Sequence, residues 1–174
     1  RRGATARMSV RPLCLADLPG LQAVQRQCYG ADLVEGTDVF ARRLAHPANC
    51  SAVIAQDGQV RAYVVAYRSC WGQVTPLHGD FSDPPTPDTL YLHDLAVGPQ
   101  WAGQGYGQAL RQWLWSQASG WGLRWSALVS VQDTQAYWQR QGYRPQPLSD
   151  AMQRQRLASY GPGAVYMGQP LVLP

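Results

Sequence analysis

The chain of 174 residues contains no lysine; all fifteen of its basic residues are arginines. That excludes an ATP-binding Walker loop, whose lysine reaches the phosphates, and any enzyme that works through a lysine Schiff base. Glutamate is nearly absent too: of eleven acidic residues only Glu35 is one, so a carboxylate base is either that residue or one of ten aspartates. The four cysteines, Cys14, Cys28, Cys50 and Cys70, form no C-x-x-C pair and have no histidine at metal-ligand spacing. No metal is expected, and the cysteines read as buried free thiols. No apolar run approaches the ~20 residues of a membrane span, and the polar N-terminus lacks a signal-peptide core. These absences point to a cytoplasmic, bacterial-type protein without a membrane partner.

What is present suits one folded unit. Hydrophobic residues make up 45% of the chain and charged ones 15%, with seven Trp and nine Tyr, enough apolar surface to outweigh chain entropy. The opening RRGATAR has no hydrophobic period and precedes Met8, the expected natural start. Residues 1–7 then read as a disordered or non-native extension and 8–174 as a single domain. The net charge of +4 owes much to Arg1, Arg2 and Arg7; without them twelve arginines face eleven acids. No arginine stripe marks a helix face, so no nucleic-acid partner is expected.

Periodicity predicts a strand at Met8–Leu13, then a helix capped by Asp17 with Leu18, Leu21, Val24 and Cys28 on one face. Thr37 is read as the cap of a second helix, which His46-Pro47 ends. Asp57-Gly58 joins the apolar runs 52–55 and 60–67 as a hairpin. Residues 70–89 carry too many Gly and Pro for regular structure, and a loop of that length commonly lines a site. A strand over Tyr91–Val97, a glycine-rich turn and a helix over Gln108–Trp121 follow. The remainder reads as a strand at Ser126–Val131, a helix at Thr134–Arg140, a short extended piece from Tyr143, a polar Gln/Arg segment and a strand at Ala164–Leu171. Hairpins mixed with crossovers imply an α/β fold with a mixed sheet and helices on both faces.

The strongest chemical signal is Gly98-Pro99-Gln100-Trp101-Ala102-Gly103-Gln104-Gly105-Tyr106-Gly107, between a buried strand and a helix. Alternate glycines let the backbone approach a ligand and aim N–H groups at it, and the helix N-terminus adds positive potential. A phosphate or pyrophosphate is the natural ligand. The spacing is G-x-G-x-G and no acid falls between Asp94 and Asp133, so the dinucleotide fingerprint is not met.

Here the chain resembles the GNAT superfamily of acyl-CoA-dependent N-acyltransferases, whose pyrophosphate motif is Gln/Arg-x-x-Gly-x-Gly/Ala after the fourth strand. Gln100, Gly103 and Gly105 match it. Tyr91-Leu92-His93-Asp94-Leu95-Ala96-Val97 is similar to the family's strand four, and Tyr137-Trp138-Gln139-Arg140-Gln141-Gly142-Tyr143 to its later aromatic-helix-Gly-aromatic motif. The resemblance covers the chain from Met8 onward. It implies a mostly antiparallel sheet of about six or seven strands, strands four and five splayed apart, and about four helices. It implies acetyl-CoA (coenzyme A) as cofactor, held by Leu95, Ala96, Val97, Gln100, Trp101, Ala102, Gly103, Gln104, Gly105, Tyr106, Gly107 and Trp138. The arm of the cofactor would pair with the backbone of Leu95 and Val97, and the Leu95 N–H would be the oxyanion donor.

The acceptor amine arrives charged and needs a base or a water chain. Strand five offers no acid and strand four offers His93 and Asp94. Histidine is the residue type that exchanges protons near neutral pH, so His93 is the candidate base, with a structural histidine as the alternative. Alternation places Tyr91, His93, Leu95 and Val97 on one face and Leu92, Asp94 and Ala96 on the other; only a bulge brings His93 and Asp94 together. Asp94 reads as a structural cap. The family's usual acid, a tyrosine four residues before the final glycine, is replaced by Trp138, which cannot deliver a proton. Tyr137 is then the candidate acid, Ser130 a weaker one, and a thiolate leaving group also departs unaided. Trp138 is assigned to packing against the cofactor. Tyr29, Glu35, Trp71 and Asp80 are the candidate substrate-binding residues, an aromatic and acidic set suited to an amine.

The implied function is transfer of an acetyl group to a primary amine, of a small molecule or a peptide, by direct attack in a ternary complex, in a monomer or homodimer. The alternative is an inactive acyl-CoA-binding module of the same fold.

Overall fold

The computed structural model describes residues 8–171; the expected extension over 1–7 lies outside the described residues. Seven strands form one sheet in the order β1-β2-β3-β4-β5-β7-β6. They are β1 Val10–Pro12, β2 Ala52–Gln56, β3 Gln59–Ser69, β4 Thr89–Val97, β5 Trp125–Ser130, β6 Arg144–Pro145 and β7 Val165–Pro170. All neighbouring pairs run antiparallel except β4 and β5, which are parallel. The parallel step requires a crossover, supplied by the helix between them. The β2–β3 turn at Asp57 and Gly58 takes φ of 53° and 74°, the left-handed pair that a two-residue hairpin needs.

The helices are α1 Leu18–Cys28, α2 Thr37–Leu44, α3 Tyr106–Ala118, α4 Gln135–Arg140 and α5 Ala151–Ala158. Helix α3 lays Tyr106, Leu110, Leu114 and Ala118 against Ala62, Val64, Leu90, Leu92 and Leu128 on one face of the sheet. Helix α1 lays Leu18, Leu21 and Val24 against Val60, Tyr63, Val65 and Tyr91 on the other. Each face thus has its own buried core, the arrangement in which a mixed sheet hides both of its sides.

Three local expectations change. The polar Gln/Arg segment is helix α5, capped by Asp150, whose side chain accepts from the N–H groups of Met152 and Gln153. Asp17 occupies the N-cap position of α1, but its side chain makes no capping bond: it accepts from the Cys14 N–H at 2.9 Å and from Arg11, holding the turn before the helix. The N-cap of α2 is Gly36, with Thr37 the first helical residue.

The fourth change sets up the site. Val65 pairs with Asp94 and Ala66 with Leu92, so His93 has no partner and forms a β-bulge in β4. A bulge resets the alternation and bends its strand. His93 and Asp94 both face the α1 side, while Leu95 and Val97 turn with Leu92 toward α3. The bulge also coincides with the end of the β4–β5 ladder, whose last pair is Leu92 with Leu128. Beyond it β4 runs on to Val97 with no strand partner on its β5 side among the described residues.

Candidate active site

The gap between β4 and β5 opens a cleft of about 510 Å³ that passes through the sheet from one face to the other. On the α3 side it is lined by the glycine turn and the first two turns of α3, with Tyr137, Trp138 and Gln141 opposite. On the α1 side it is lined by Tyr29, Leu33, Glu35, Leu77, His93, Asp94 and Tyr160.

The turn is built to present backbone. Gly103 and Gly105 take φ of 75° and 84°, a region that side chains disfavour, and no protein atom lies within 4 Å of where a Cβ on Gly103 would sit. Gly105 leads directly into α3, so the N–H groups of the helix's first turn have no intrahelical acceptor. Arg61 fixes the turn from behind. Its carbonyl accepts the Gly98 N–H at 2.8 Å, its guanidinium lies 3.7 Å above the Trp101 ring, and Nη1 donates to Tyr106 Oη at 2.7 Å. A glycine-lined, N–H-rich concavity at a helix N-terminus fits a pyrophosphate.

Of the residues expected here, Leu95, Val97, Trp101, Ala102, Gly103, Gly105, Tyr106, Gly107, Tyr137 and Trp138 line the cleft; Ala96, Gln100 and Gln104 do not. The Ala96 side chain is buried on the α1 face. Tyr137 Oη reaches to 3.6 Å from the Cβ position of Gly107, at the mouth of α3. Trp138 packs edge-on against Tyr143 at 5.6 Å. Ser130 is buried and bonded to Thr134 at 3.1 Å.

The α1 side holds the ionisable groups. Glu35 belongs to the connection from α1 to α2, yet its side chain is only 3% exposed. Gln25 clamps its backbone from both sides, accepting its N–H at 2.8 Å and donating to its carbonyl at 3.0 Å. The carboxylate accepts from both Nη atoms of Arg43, from the His78 N–H at 2.8 Å and from His93 Nε2 at 2.8 Å. Burial pushes its pKa up, but the charge that His93 adds when protonated, the hydrogen bonds from Arg43 and His93, and the Arg43 charge outweigh that and hold Glu35 below the ordinary carboxylate range.

An ionised Glu35 accepts hydrogen bonds and donates none, so His93 Nε2 must carry the hydrogen between them. That leaves Nδ1 as the basic nitrogen. Its neighbour is Tyr160 Oη at 3.5 Å, whose single hydrogen goes to the Thr75 carbonyl. Burial above all keeps the Tyr160 phenol well above its ordinary pKa, hence protonated. Nδ1 therefore faces an oxygen with no hydrogen to give. On taking a proton it gains both a donor bond to Tyr160 and an ion pair with Glu35, the polarised-imidazole logic of a catalytic dyad.

Asp94 is not a cap. Its Oδ1 accepts from Tyr29 Oη at 2.8 Å and Oδ2 from Tyr63 Oη at 2.7 Å. Burial raises its pKa by more than the two phenols lower it. Tyr29 also reaches the Leu95 carbonyl at 3.2 Å, and the Cys28 thiol the Val97 carbonyl at 3.2 Å. Helix α1 thus anchors the free edge of β4.

Trp71 and Asp80 lie away from the cleft. Trp71 packs against Trp125 and Tyr166, directly over Gly168, at the opposite end of the sheet's strands. Asp80 is two-thirds exposed and pairs with Arg42 at 2.8 Å. The loop of residues 70–88 reaches the cleft through Leu77 instead. Tyr160, Arg43 and Arg111 carried no sequence signal: the first sits between a polar Gln/Arg segment and the Gly161-Pro162-Gly163 turn, and the arginines look like ordinary helix-surface residues.

The fold has many solved counterparts. The ribosomal-protein-S18-alanine N-acetyltransferase of Escherichia coli matches with a TM-score of 0.64 and 16% identity over 95% of each chain. The GphF GNAT-like decarboxylase, solved with isobutyryl-CoA, matches with a TM-score of 0.71 and 17% identity over 94% of this chain and all of its own. The N-acetylglutamate synthase of Neisseria gonorrhoeae, solved with coenzyme A and N-acetyl-glutamate, gives 0.69 and 16% identity over 97% of this chain and 36% of its own. At such identities the likeness is one of fold. Among curated protein sequences none matches significantly. Residues 18–143 match the sequence model of one family over well more than half of the chain, and by that match the protein belongs to the Acetyltransferase (GNAT) family.

Proposed function

We propose that the protein transfers an acetyl group from acetyl-CoA to a primary amine by direct attack in a ternary complex. The observation that carries this reading is the buried Glu35–His93 pair at the bulge, which gives the cleft a proton-accepting nitrogen beside the free edge of β4. Acetyl-CoA supplies an acetyl thioester. Gly103, Gly105 and the start of α3 hold its pyrophosphate, while Leu95 and Val97, beyond the end of the β4–β5 ladder, present the strand edge to its arm. The Leu95 N–H is the assigned oxyanion donor. His93 Nδ1 takes the proton that the ammonium must lose, with Glu35 stabilising the imidazolium. Tyr137, above Gly107, is the side chain assigned to the leaving thiolate, and Trp138 walls the cofactor.

Coenzyme A and isobutyryl-CoA in the solved relatives support the choice of cofactor class. Trp138, in place of the usual tyrosine, favours a second reading, an acyl-CoA-binding module without turnover. Thiol release separates the two. Acetyl-CoA and free CoA are expected to raise the melting temperature while ATP and NAD do not, and amines are expected to accelerate thiol release from acetyl-CoA. A melting shift without amine-dependent release leaves only the binding module; no shift removes both readings.

A further inference from the structure

We infer that the acceptor is a primary amine on an apolar, carboxylate-free body, either a free aralkylamine or the first residue of a peptide, and not an amino acid. The inference rests on the acyltransferase reading above and follows from which charges the α1 side of the cleft leaves free. Its walls are Tyr29, Leu33, Leu77 and Tyr160, and its ionisable groups are Glu35, His93 and Asp94. Arg43, behind them, has a side chain with no exposed surface and is turned entirely onto Glu35 and the Gly79 carbonyl. His93 gives its Nε2 hydrogen to Glu35. Arg111, the one arginine lining the cleft among the described residues, belongs to the α3 side, where Nη2 donates to Gln141 at 2.7 Å.

An ammonium entering here meets Asp94, which, alone of the cleft carboxylates, pairs with no cation among the described residues. Each of its oxygens already accepts one phenol and retains a further lone pair, so an ammonium hydrogen has a site. The arriving positive charge also favours ionised Asp94 against the burial that opposes it. An α-carboxylate on the same acceptor would be desolvated beside Asp94 and Glu35 with no cation to answer it, and like charges in one buried site are costly. The hydrophobic walls take the rest of the molecule.

The test holds the acceptor's body constant and varies the carboxylate. Thiol release from acetyl-CoA is measured with 2-phenylethylamine, with phenylalanine, and with a C-terminally amidated tripeptide beginning in phenylalanine. The first or the third is expected to exceed phenylalanine in kcat/KM by about 100-fold or more, and which of the two leads identifies the source of the amine. Asp94→Asn should raise KM for that amine at least tenfold while the Kd of acetyl-CoA is unchanged. Phenylalanine equal to or better than the others overturns the inference and leaves the acyltransferase reading standing. Release with none of the three, or with acetyl-CoA failing to bind, overturns that reading and this inference with it.

Discussion

His93 Nε2 and Glu35 Oε1 lie 2.8 Å apart, two buried groups that meet because a one-residue bulge in β4 turns the imidazole toward the α1–α2 connection. Glu35 also neutralises buried Arg43 and accepts the His78 N–H, so the carboxylate that meets His93 is held in place from two other sides. The Glu35–His93 pairing selects the tautomer that frees Nδ1. His93→Ala should lower kcat by 10²–10⁴-fold, the usual worth of a positioned base, and flatten the acid limb of the pH–rate profile, with acetyl-CoA affinity unchanged. Glu35→Gln should lower kcat less and leave an acid limb at altered pH. An unchanged pH–rate profile for His93→Ala takes His93 out of the mechanism.

The Arg43–Glu35 pair also bears on folding. Breaking a buried pair strands one charge, so Arg43→Met should cost about 3–5 kcal/mol in urea unfolding at neutral pH. The double variant Arg43→Met with Glu35→Leu should recover part of that, because two apolar groups replace two charges, while the His78 N–H and the Gly79 carbonyl lose their partners. Since Glu35 is depressed in the native state, its contribution is complete above the unfolded carboxyl's value near ~4.3 and is lost as pH falls below it. A double variant no more stable than the single one would show that the site cannot repack.

Asp94 carries the opposite sign. Its pKa is raised in the fold, so the native state holds that proton more tightly than the unfolded chain does. The associated stability is present below the unfolded value near ~3.9 and is lost as pH rises through the native one. Asp94→Asn removes this cost and keeps polar contacts to Tyr29 and Tyr63. Its stability relative to the native protein should therefore improve between pH 4 and pH 7 in thermal or urea unfolding. A variant that weakens selectively at pH 7 would mean that the ionised carboxylate is the stabilising form.

At Gly105 conformation and binding are tested together. With φ of 84° and only the tip of the Met8 side chain, at 4.0 Å, near its Cβ position, Gly105→Ala meets no clash, only the left-handed backbone cost of about 1–2 kcal/mol. Because the residue precedes the first turn of α3, the same change should misdirect the N–H groups there and raise the Kd of acetyl-CoA at least tenfold. Loss of stability with unaltered acetyl-CoA affinity would move the pyrophosphate away from this turn.

The glycine turn, strand β4 and the hairpin were legible because each rests on local chemistry: positive-φ residues, β-branched runs, a strand leading into a helix. The α3 side of the cleft is built from those segments, so most of its lining could be named. The α1 side is not local. Glu35, His93, Arg43 and Tyr160 come from four separate segments, and the bulge that aligns His93 with Asp94 leaves no mark in Tyr91-Leu92-His93-Asp94. Strict alternation, the only available rule, put the two on opposite faces. Trp71 was read as a pocket residue because sequence does not separate aromatic packing from aromatic binding; its neighbour across the sheet, Gly168, shows that it fills a core gap.

Helix α5 was missed for a reason that can itself be tested. Its buried face carries Gln153, which accepts the Val74 N–H at 2.7 Å and donates to Gln73 at 3.0 Å, so no apolar stripe signals the helix. Those bonds hold the start of the loop whose Leu77 and His78 reach the cleft, and Tyr160, just past α5, faces His93. Gln153→Leu matches the apolar periodicity better yet strands a buried backbone N–H, at a cost of about 1–3 kcal/mol. It should lower stability by that amount in urea unfolding and, by loosening the loop, raise the KM of the amine more than that of acetyl-CoA. Equal effects on both substrates would show that the loop is a general prop of the fold and no part of the acceptor wall.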